Sequence, residues 1–212
     1  MVDWGELRRT TPIARSFGFD RGHPVDRRYI EAFLDRHRDD VRGRVLEIGD
    51  RGYTRRFGGD RVTQSDVYDR PGNDGATLTG DLGGAAGLPA AAFDCMIVTQ
   101  TLLFVFDLRR ALSNLRDALA PGGVLLVTVP GVSQVVREDM DREGDFWRFT
   151  TRSLRDLAAT SFAADRIEVE ARGNVLACVA FLHGLAQEDL RADEFDVDDP
   201  DFQLIVTLRA VA

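Results

Sequence analysis

The sequence predicts an α/β fold: a seven-stranded, mostly parallel sheet with an antiparallel last strand, in a single domain over residues 1–212. Three observations carry that prediction. Short apolar runs of strand length alternate with segments of helical period, which implies parallel strands joined by crossovers. Several of those runs end in Gly or an acid, as strands opening onto a ligand crevice do. Finally, two late runs flank a long insertion, which suits an antiparallel pair at the sheet edge.

Taken in order, Pro24 opens a helix in which Val25, Tyr29, Ile30, Phe33 and Leu34 recur at helical spacing, with Asp26 and Glu31 early and Gly43 ending the element. Arg44 to Gly49 reads as a buried parallel strand, and Arg61 to Asp66 as a second that ends in an acid. Ala76–Thr79 is a weak third and Phe93–Thr99 a strong fourth. Leu108, Ala111, Leu112, Leu115 and Leu119 share one face of a helix starting at Asp107, which Pro121-Gly-Gly123 is expected to stop before a fifth strand, Val124–Val129. Arg166–Ala171 and Phe202–Val211 are the late strands, with a helix expected over Asn174–Leu190.

Charge narrows the function. With 35 acidic against 27 basic residues, a net charge of −8 and a pI near 4.9, the chain lacks the positive field that nucleic acid or an anionic membrane requires. All 27 basic residues are Arg, so Schiff-base lysine chemistry and a P-loop lysine are excluded. Cys95 and Cys178 sit far apart in apolar runs and read as buried free thiols of a reducing compartment. Residues 1–19 hold no hydrophobic signal region and no apolar stretch approaches bilayer length, so the expectation is a cytoplasmic protein, monomer or homodimer. The acidic run Asp189–Asp201 lacks calcium-loop spacing and reads as a solvated loop; no metal site is expected.

The strand ends carry the chemistry. Gly49 allows a ligand to approach the backbone, and Asp66, with Val67 beside it, is placed to accept hydrogen bonds from two ribose hydroxyls of a nucleoside. Asp81 can accept from an adenine amino group while Leu82 packs on the ring, and Thr99-Gln100 lies at the end of the fourth strand on the ligand side. In order and spacing, VLEIG, SD, GDL, FDCMIVTQ and LAPGGVLLVTVPG resemble the class I S-adenosylmethionine-dependent methyltransferases, whose sheet is Rossmann-like and doubly wound. DRGHPVDRRYIEAFL and GDFWRFT further resemble a small bacterial group found beside glycosyltransferases or in polysaccharide and secondary-metabolite pathways.

That resemblance implies an S-adenosylmethionine-binding core over 44–131, an N-terminal helical lid over 1–43, and acceptor-side elements over 132–212. It implies Glu47 and Gly49 at the methionine end of the cofactor, Asp66 at the ribose, Asp81 and Leu82 at the adenine, and Gln100 beneath the sulfonium. Where that family has a second glycine, this chain has Arg51, and only residues 50–61 separate the first two strands. The intervening helix must shrink to about a turn over Tyr53–Phe57, and Asp50 is a candidate for the cofactor amine. Transfer to a hydroxyl of a small-molecule or sugar acceptor is the implied activity; carboxyl or amine methylation, or a non-catalytic accessory role, are the alternatives. A general base is then sought among the histidines: His183 in Phe181-Leu-His-Gly-Leu185, and His23 in a turn that can fold over the crevice. Asp145, Trp147 and Arg148 follow the fifth strand where an acceptor would lie, either binding it or anchoring the next helix.

Overall fold

The computed structural model describes Gly5, residues 8–142 and residues 144–212. The remaining positions of the expected lid, residues 1–4, 6 and 7, lie outside the described residues. Seven strands form one sheet: β1 (Gly43–Ile48), β2 (Val62–Asp69), β3 (Leu78–Thr79), β4 (Phe93–Thr99), β5 (Leu119–Pro130), β6 (Ile167–Arg172) and β7 (Ile205–Val211). Their order is β3-β2-β1-β4-β5-β7-β6. Pairing is parallel from β3 to β5, whereas β7 runs antiparallel to both β5 and β6 and is the one reversed strand.

Among the described residues five α-helices accompany the sheet: α1 (Val25–Arg36), α2 (Leu108–Ala118), α3 (Arg137–Arg142), α4 (Thr151–Ala158) and α5 (Val175–Leu182). The pleat sends successive side chains to opposite faces. Leu46, Met96, Val98, Leu125 and Val127 therefore join one apolar layer with Leu112 and Leu115 of α2 and Leu154 of α4. Val45, Cys95, Ile97, Val124 and Leu126 join the other, with Ile30, Phe33 and Leu34 of α1 and Phe181 of α5. Cys95 and Cys178 are free thiols in the second layer, and burial pushes both thiol pKa values up.

Four elements differ from expectation. The first helix ends at Arg36 and is followed by a 3-10 turn over Arg38–Asp40, while Gly43, expected to end it, opens β1 at φ +65 with the Asp94 side chain against it. The strand expected to end at Asp66 runs on through Val67 and Tyr68 to Asp69, because both of those residues find buried positions beside Glu47 and Ile48 of β1. The stop at Pro121-Gly-Gly123 is not a helix end. α2 gives way to strand at Leu119, which pairs with Phe93, and the Pro-Gly-Gly segment lies inside β5 at a register shift. The helix expected through Leu190 stops at Leu182. Gly184 at φ +70 turns the chain there, and a side chain on it would strike the Ala14 backbone. The expected contraction after β1 is present: a π-helical turn over Thr54–Gly58 and a 3-10 turn over Gly59–Arg61 are all that link β1 to β2.

Asp66 holds this half of the sheet together. Its Oδ2 accepts from Arg44 Nε at 2.7 Å and Gln64 Nε2 at 3.1 Å, while Oδ1 accepts from Thr77 Oγ1 at 3.0 Å. The Arg44 guanidinium carbon also lies 4.8 Å from the centre of the Phe93 ring. β1, β2 and the approach to β3 thus share one largely buried carboxylate. Asp66→Ala removes the Arg44 ion pair and the hydrogen bonds from Gln64 and Thr77, and should cost about 2–3 kcal/mol, lowering Tm by roughly 5–10 °C in thermal unfolding.

Candidate functional site

The strand order reverses between β1 and β4, so their carboxyl ends, Ile48-Gly49 and Thr99-Gln100, flank a crevice at the switch point. A cavity of about 240 Å³ opens there, lined by Gly49, Asp69, Asp81, Leu82, Gln100 and Phe104 among others. Gly49 has φ +86, and a Cβ placed on it would meet nothing within 4 Å, so its backbone borders open space. The Asp69 carboxylate closes the end of β2. It accepts from Arg70 N at 2.7 Å and from Asn73 Nδ2 at 2.8 Å, and Asn73 also donates to Gly49 O at 2.8 Å. On the far wall the Asp81 carboxylate accepts from Gly83 N, and Asn114 of α2 donates to Leu82 O at 2.8 Å, fixing that turn.

Gln100 is the hinge of the site. Its φ is +49, an unusual conformation for a residue other than glycine, and its N–H donates to Thr128 O at 2.8 Å. The same residue, with Phe104, lines a second cavity of about 240 Å³ whose other walls include Phe17, Phe19, Asp26, Ser133 and Phe181. The Phe17 and Phe181 ring centres are 5.7 Å apart, which lays the segment before α1 across this cavity. Two chambers therefore meet at one strained residue.

The structure brings together Gly49, Asp81, Leu82 and Gln100 of the expected cofactor residues, and moves others away. Glu47 faces the loop instead of the cavity: its oxygens accept from Tyr53 N at 3.0 Å and Thr54 N at 2.7 Å. Burial raises its pKa, partly offset by those N–H groups. Asp50 accepts from Gly52 N at 2.6 Å in an exposed turn. Asp66 is spent on Arg44 in mid-strand, and Val67 is buried, its N–H bonded to Thr77 Oγ1. Thr99 lies beside the crevice, its carbonyl accepting from Thr101 Oγ1. The acid at the crevice is Asp69, which reading the strand as ending at Asp66 overlooked. The apolar pair Val67-Tyr68 followed by Asp69-Arg-Pro-Gly72 was the signal for the longer strand.

Neither histidine lines either cavity. The His23 side chain is 78% exposed, and its Nδ1 lies 2.7 Å from Glu188 Oε1. With Gln187 N donating to His23 O and Arg21 paired to Asp189, it fastens the segment before α1 to the turn after α5. His183 caps α5, and its carbonyl accepts from Ile13 N and Ala14 N. Asp145, Trp147 and Arg148 form a clamp. All five Arg148 donors are used, on Ser133 O, Gln134 O, Trp147 O and both Asp145 oxygens, and Asp145 also accepts from Val136 N. Burial pushes the Asp145 carboxyl up, but the Arg148 and Val136 hydrogen bonds and the Arg148 charge bring it below the usual range. Trp147 Nε1 donates to Val105 O. The trio shapes the wall carrying Ser133 and Val136 and has no donor left for a substrate.

Among the described residues no group of three His, Cys, Asp or Glu side chains is placed to hold a metal ion, and no helix is long and apolar enough to cross a membrane.

No protein-family model matches the chain, and no curated protein matches it either. Solved structures do. An S-adenosylmethionine-dependent methyltransferase from Archaeoglobus fulgidus superposes with a TM-score of 0.56 at 14% identity, over 88% of this chain and 94% of the other. One from Mesorhizobium loti gives 0.53 at 20% identity, over 92% and 100%. Phosphoethanolamine N-methyltransferase 2 of Haemonchus contortus, in complex with S-adenosyl-L-methionine, gives 0.52 at 16% identity, over 87% of this chain and 52% of its own. The fold is that of the class I S-adenosylmethionine-dependent methyltransferases.

Two outcomes follow. Arg148→Lys keeps the charge but loses the planar fork, and should lower Tm by several degrees, about 2 kcal/mol, while leaving nucleoside affinity within a few-fold. The Glu188 hydrogen bond, then its charge, raises the His23 pKa above 6.5, so the ion pair is complete below that value and is lost as pH rises through the raised one. Protection of the Gln187 amide against hydrogen exchange, corrected for intrinsic rate, should therefore fall as pH rises above 6.5, and His23→Ala should flatten the dependence.

Proposed function

We propose that this protein transfers a methyl group from S-adenosylmethionine to an oxygen of a small-molecule acceptor. The observation that carries the reading is the pair of cavities meeting at Gln100, one lined by a glycine and two acids at the strand ends, the other by aromatic rings. The first suits an adenosyl donor by its chemistry. Asp69 has acceptor capacity for ribose hydroxyls beyond its two protein donors, and Asp81 faces the position of an exocyclic amine. Leu82, Phe104 and Val105 supply apolar faces for a flat base, and the open backbone at Gly49 leaves room for the amino-acid tail.

When bound, the sulfonium supplies both the methyl group and a good leaving group. The chain's task is then alignment and exclusion of water. Gln100, fixed to Thr128, and Phe104 border both cavities, so a donor in one and an acceptor in the other would meet beside them. Phe17 and Phe181 cover the acceptor side, and the Arg148 clamp holds Ser133 and Val136 against it. The fold's relatives include an N-methyltransferase, so the acceptor atom rests on the lining of the second cavity and not on the fold.

Calorimetry with S-adenosylhomocysteine should give saturable binding to the wild type. Asp69→Ala should weaken it about 10- to 100-fold, the worth of one or two hydrogen bonds to a charged acceptor, with little change in Tm. Asp66→Ala should do the reverse, losing stability more than affinity. A folded wild-type protein that gives no heat with the nucleoside would end this reading.

A further inference from the structure

One member of the second cavity is unexplained by the strand ends, the histidines or the clamp. Asp26 lies in the first turn of α1, on the buried face that carries Tyr29, Ile30 and Phe33, and its side chain is only 9% exposed. Its Oδ2 lies 3.5 Å from Arg27 Nη1, and its Oδ1 is buried without a hydrogen-bond partner. An unsatisfied oxygen of a buried carboxylate costs ~1–3 kcal/mol or more, and such groups in folded proteins call for a reason. Burial raises the Asp26 pKa, while the Arg27 charge and the N–H groups of Arg27 and Asp26 oppose the rise and Glu31 adds to it. The other titratable group coupled to it is Tyr53, from the loop after β1, whose own hydroxyl burial pushes up to about 12.

Beside Asp26, Arg27, Gln100 and Ser133, the cavity is lined by apolar and aromatic side chains: Phe17, Phe19, Phe104 and Phe181, with Leu103 and Val136. Rings in that number suit a flat apolar molecule better than a polyhydroxylated one. Gln100 forms the wall shared with the donor cavity.

Resting on the methyltransferase reading above, we infer that Asp26 receives the proton of the acceptor hydroxyl, and that the acceptor is a phenol-like molecule whose ring sits among these phenylalanines. In the step, a lone pair of the acceptor oxygen forms the new C–O bond as the methyl–sulfur bond breaks, and the bonding pair stays on sulfur as a neutral thioether. The hydroxyl proton passes to Asp26, which becomes a neutral acid until product release lets the proton escape to water. A cation and a carboxylate are both discharged, a change that a low-dielectric chamber favours. The proton's destination is the Asp26 carboxylate, and the unpartnered Oδ1 behind it is part of what holding a buried base at this cavity costs folding.

The test uses full-length wild type, Asp26→Asn and Asp26→Glu, with phenol and para-nitrophenol as acceptor probes and formation of S-adenosylhomocysteine as the readout. Asp26→Asn should bind S-adenosylhomocysteine like wild type and melt within a few degrees of it, since it removes a buried charge whose partner, Arg27, keeps access to water. At pH 8 its turnover of phenol should fall about 100-fold or more, whereas that of para-nitrophenol, largely ionised there, should fall less than about 10-fold. Asp26→Glu should restore part of the phenol activity. Equal losses on both probes, or none, would overturn the role of Asp26. Failure of the wild type to turn over either phenol while binding the nucleoside would overturn the acceptor class. Failure of the wild type to bind the nucleoside removes the methyltransferase reading itself.

Discussion

The short crossover from β1 to β2 is the constraint on which the site depends. A parallel pair needs about a dozen residues to return to the sheet, and residues 50–61 are near that minimum. Glu47 makes the return workable. Its buried carboxylate takes the N–H groups of Tyr53 and Thr54, which begin the π turn and lack carbonyl partners of their own. Desolvating that carboxylate is unfavourable, and the raised pKa of Glu47 records it. The two N–H bonds offset the cost and fix the loop beyond Gly49 at the mouth of the crevice. Together with the hold of Asn73 on Gly49 O and the Asp50–Gly52 turn, they set the path of the loop.

Most of the architecture was legible in the residues because strands buried on both faces leave continuous apolar runs. Phe93–Thr99 matches β4 to the residue, and the direction of the last strand followed from its place beyond a long insertion. What escaped were endings decided by tertiary pairing. Leu119 is a reasonable helix residue by its own preferences, yet Phe93 recruits it into the sheet. Val67 and Tyr68 extend β2 because Glu47 and Ile48 stand opposite them, a partner no local pattern names. The same pairing that lengthened β2 moved the crevice acid from Asp66 to Asp69, so one misread strand end displaced one site residue.

Side-chain roles were harder to read than strands, for a physical reason. A charged residue near a crevice serves the ligand only if the protein has not already used its hydrogen-bonding capacity, and that depends on partners distant in sequence. Arg148 illustrates the point: beside a Trp and after β5 it reads as an acceptor-binding group, but Ser133, Gln134, Trp147 and Asp145 consume its five donors. His23 is similarly committed to Glu188, 165 residues away. Asp26 is the opposite case. It was visible as an early acid of α1, which a helix N-terminus welcomes, and its position on the face of Ile30 and Phe33 was the overlooked sign that it points inward.

Sorting the polar groups by remaining capacity separates scaffold from site. Asp66, Glu47, Arg148 and Asp145 are satisfied by protein partners, and each joins two or more segments. Asp69, Asp81 and Asp26 border the two chambers; the first two keep acceptor capacity and the third keeps an oxygen with no donor at all. Folding alone would favour replacing Asp26 with an apolar residue of similar size, because the Arg27 charge and the neighbouring backbone N–H groups offset its burial only in part. Its presence in a cavity lined by four phenylalanines, which shares Gln100 and Phe104 with the first chamber, is explained if a proton must be collected there. The scaffold acids and the site acids thus differ in no local sequence property, only in whether the fold supplies them with donors.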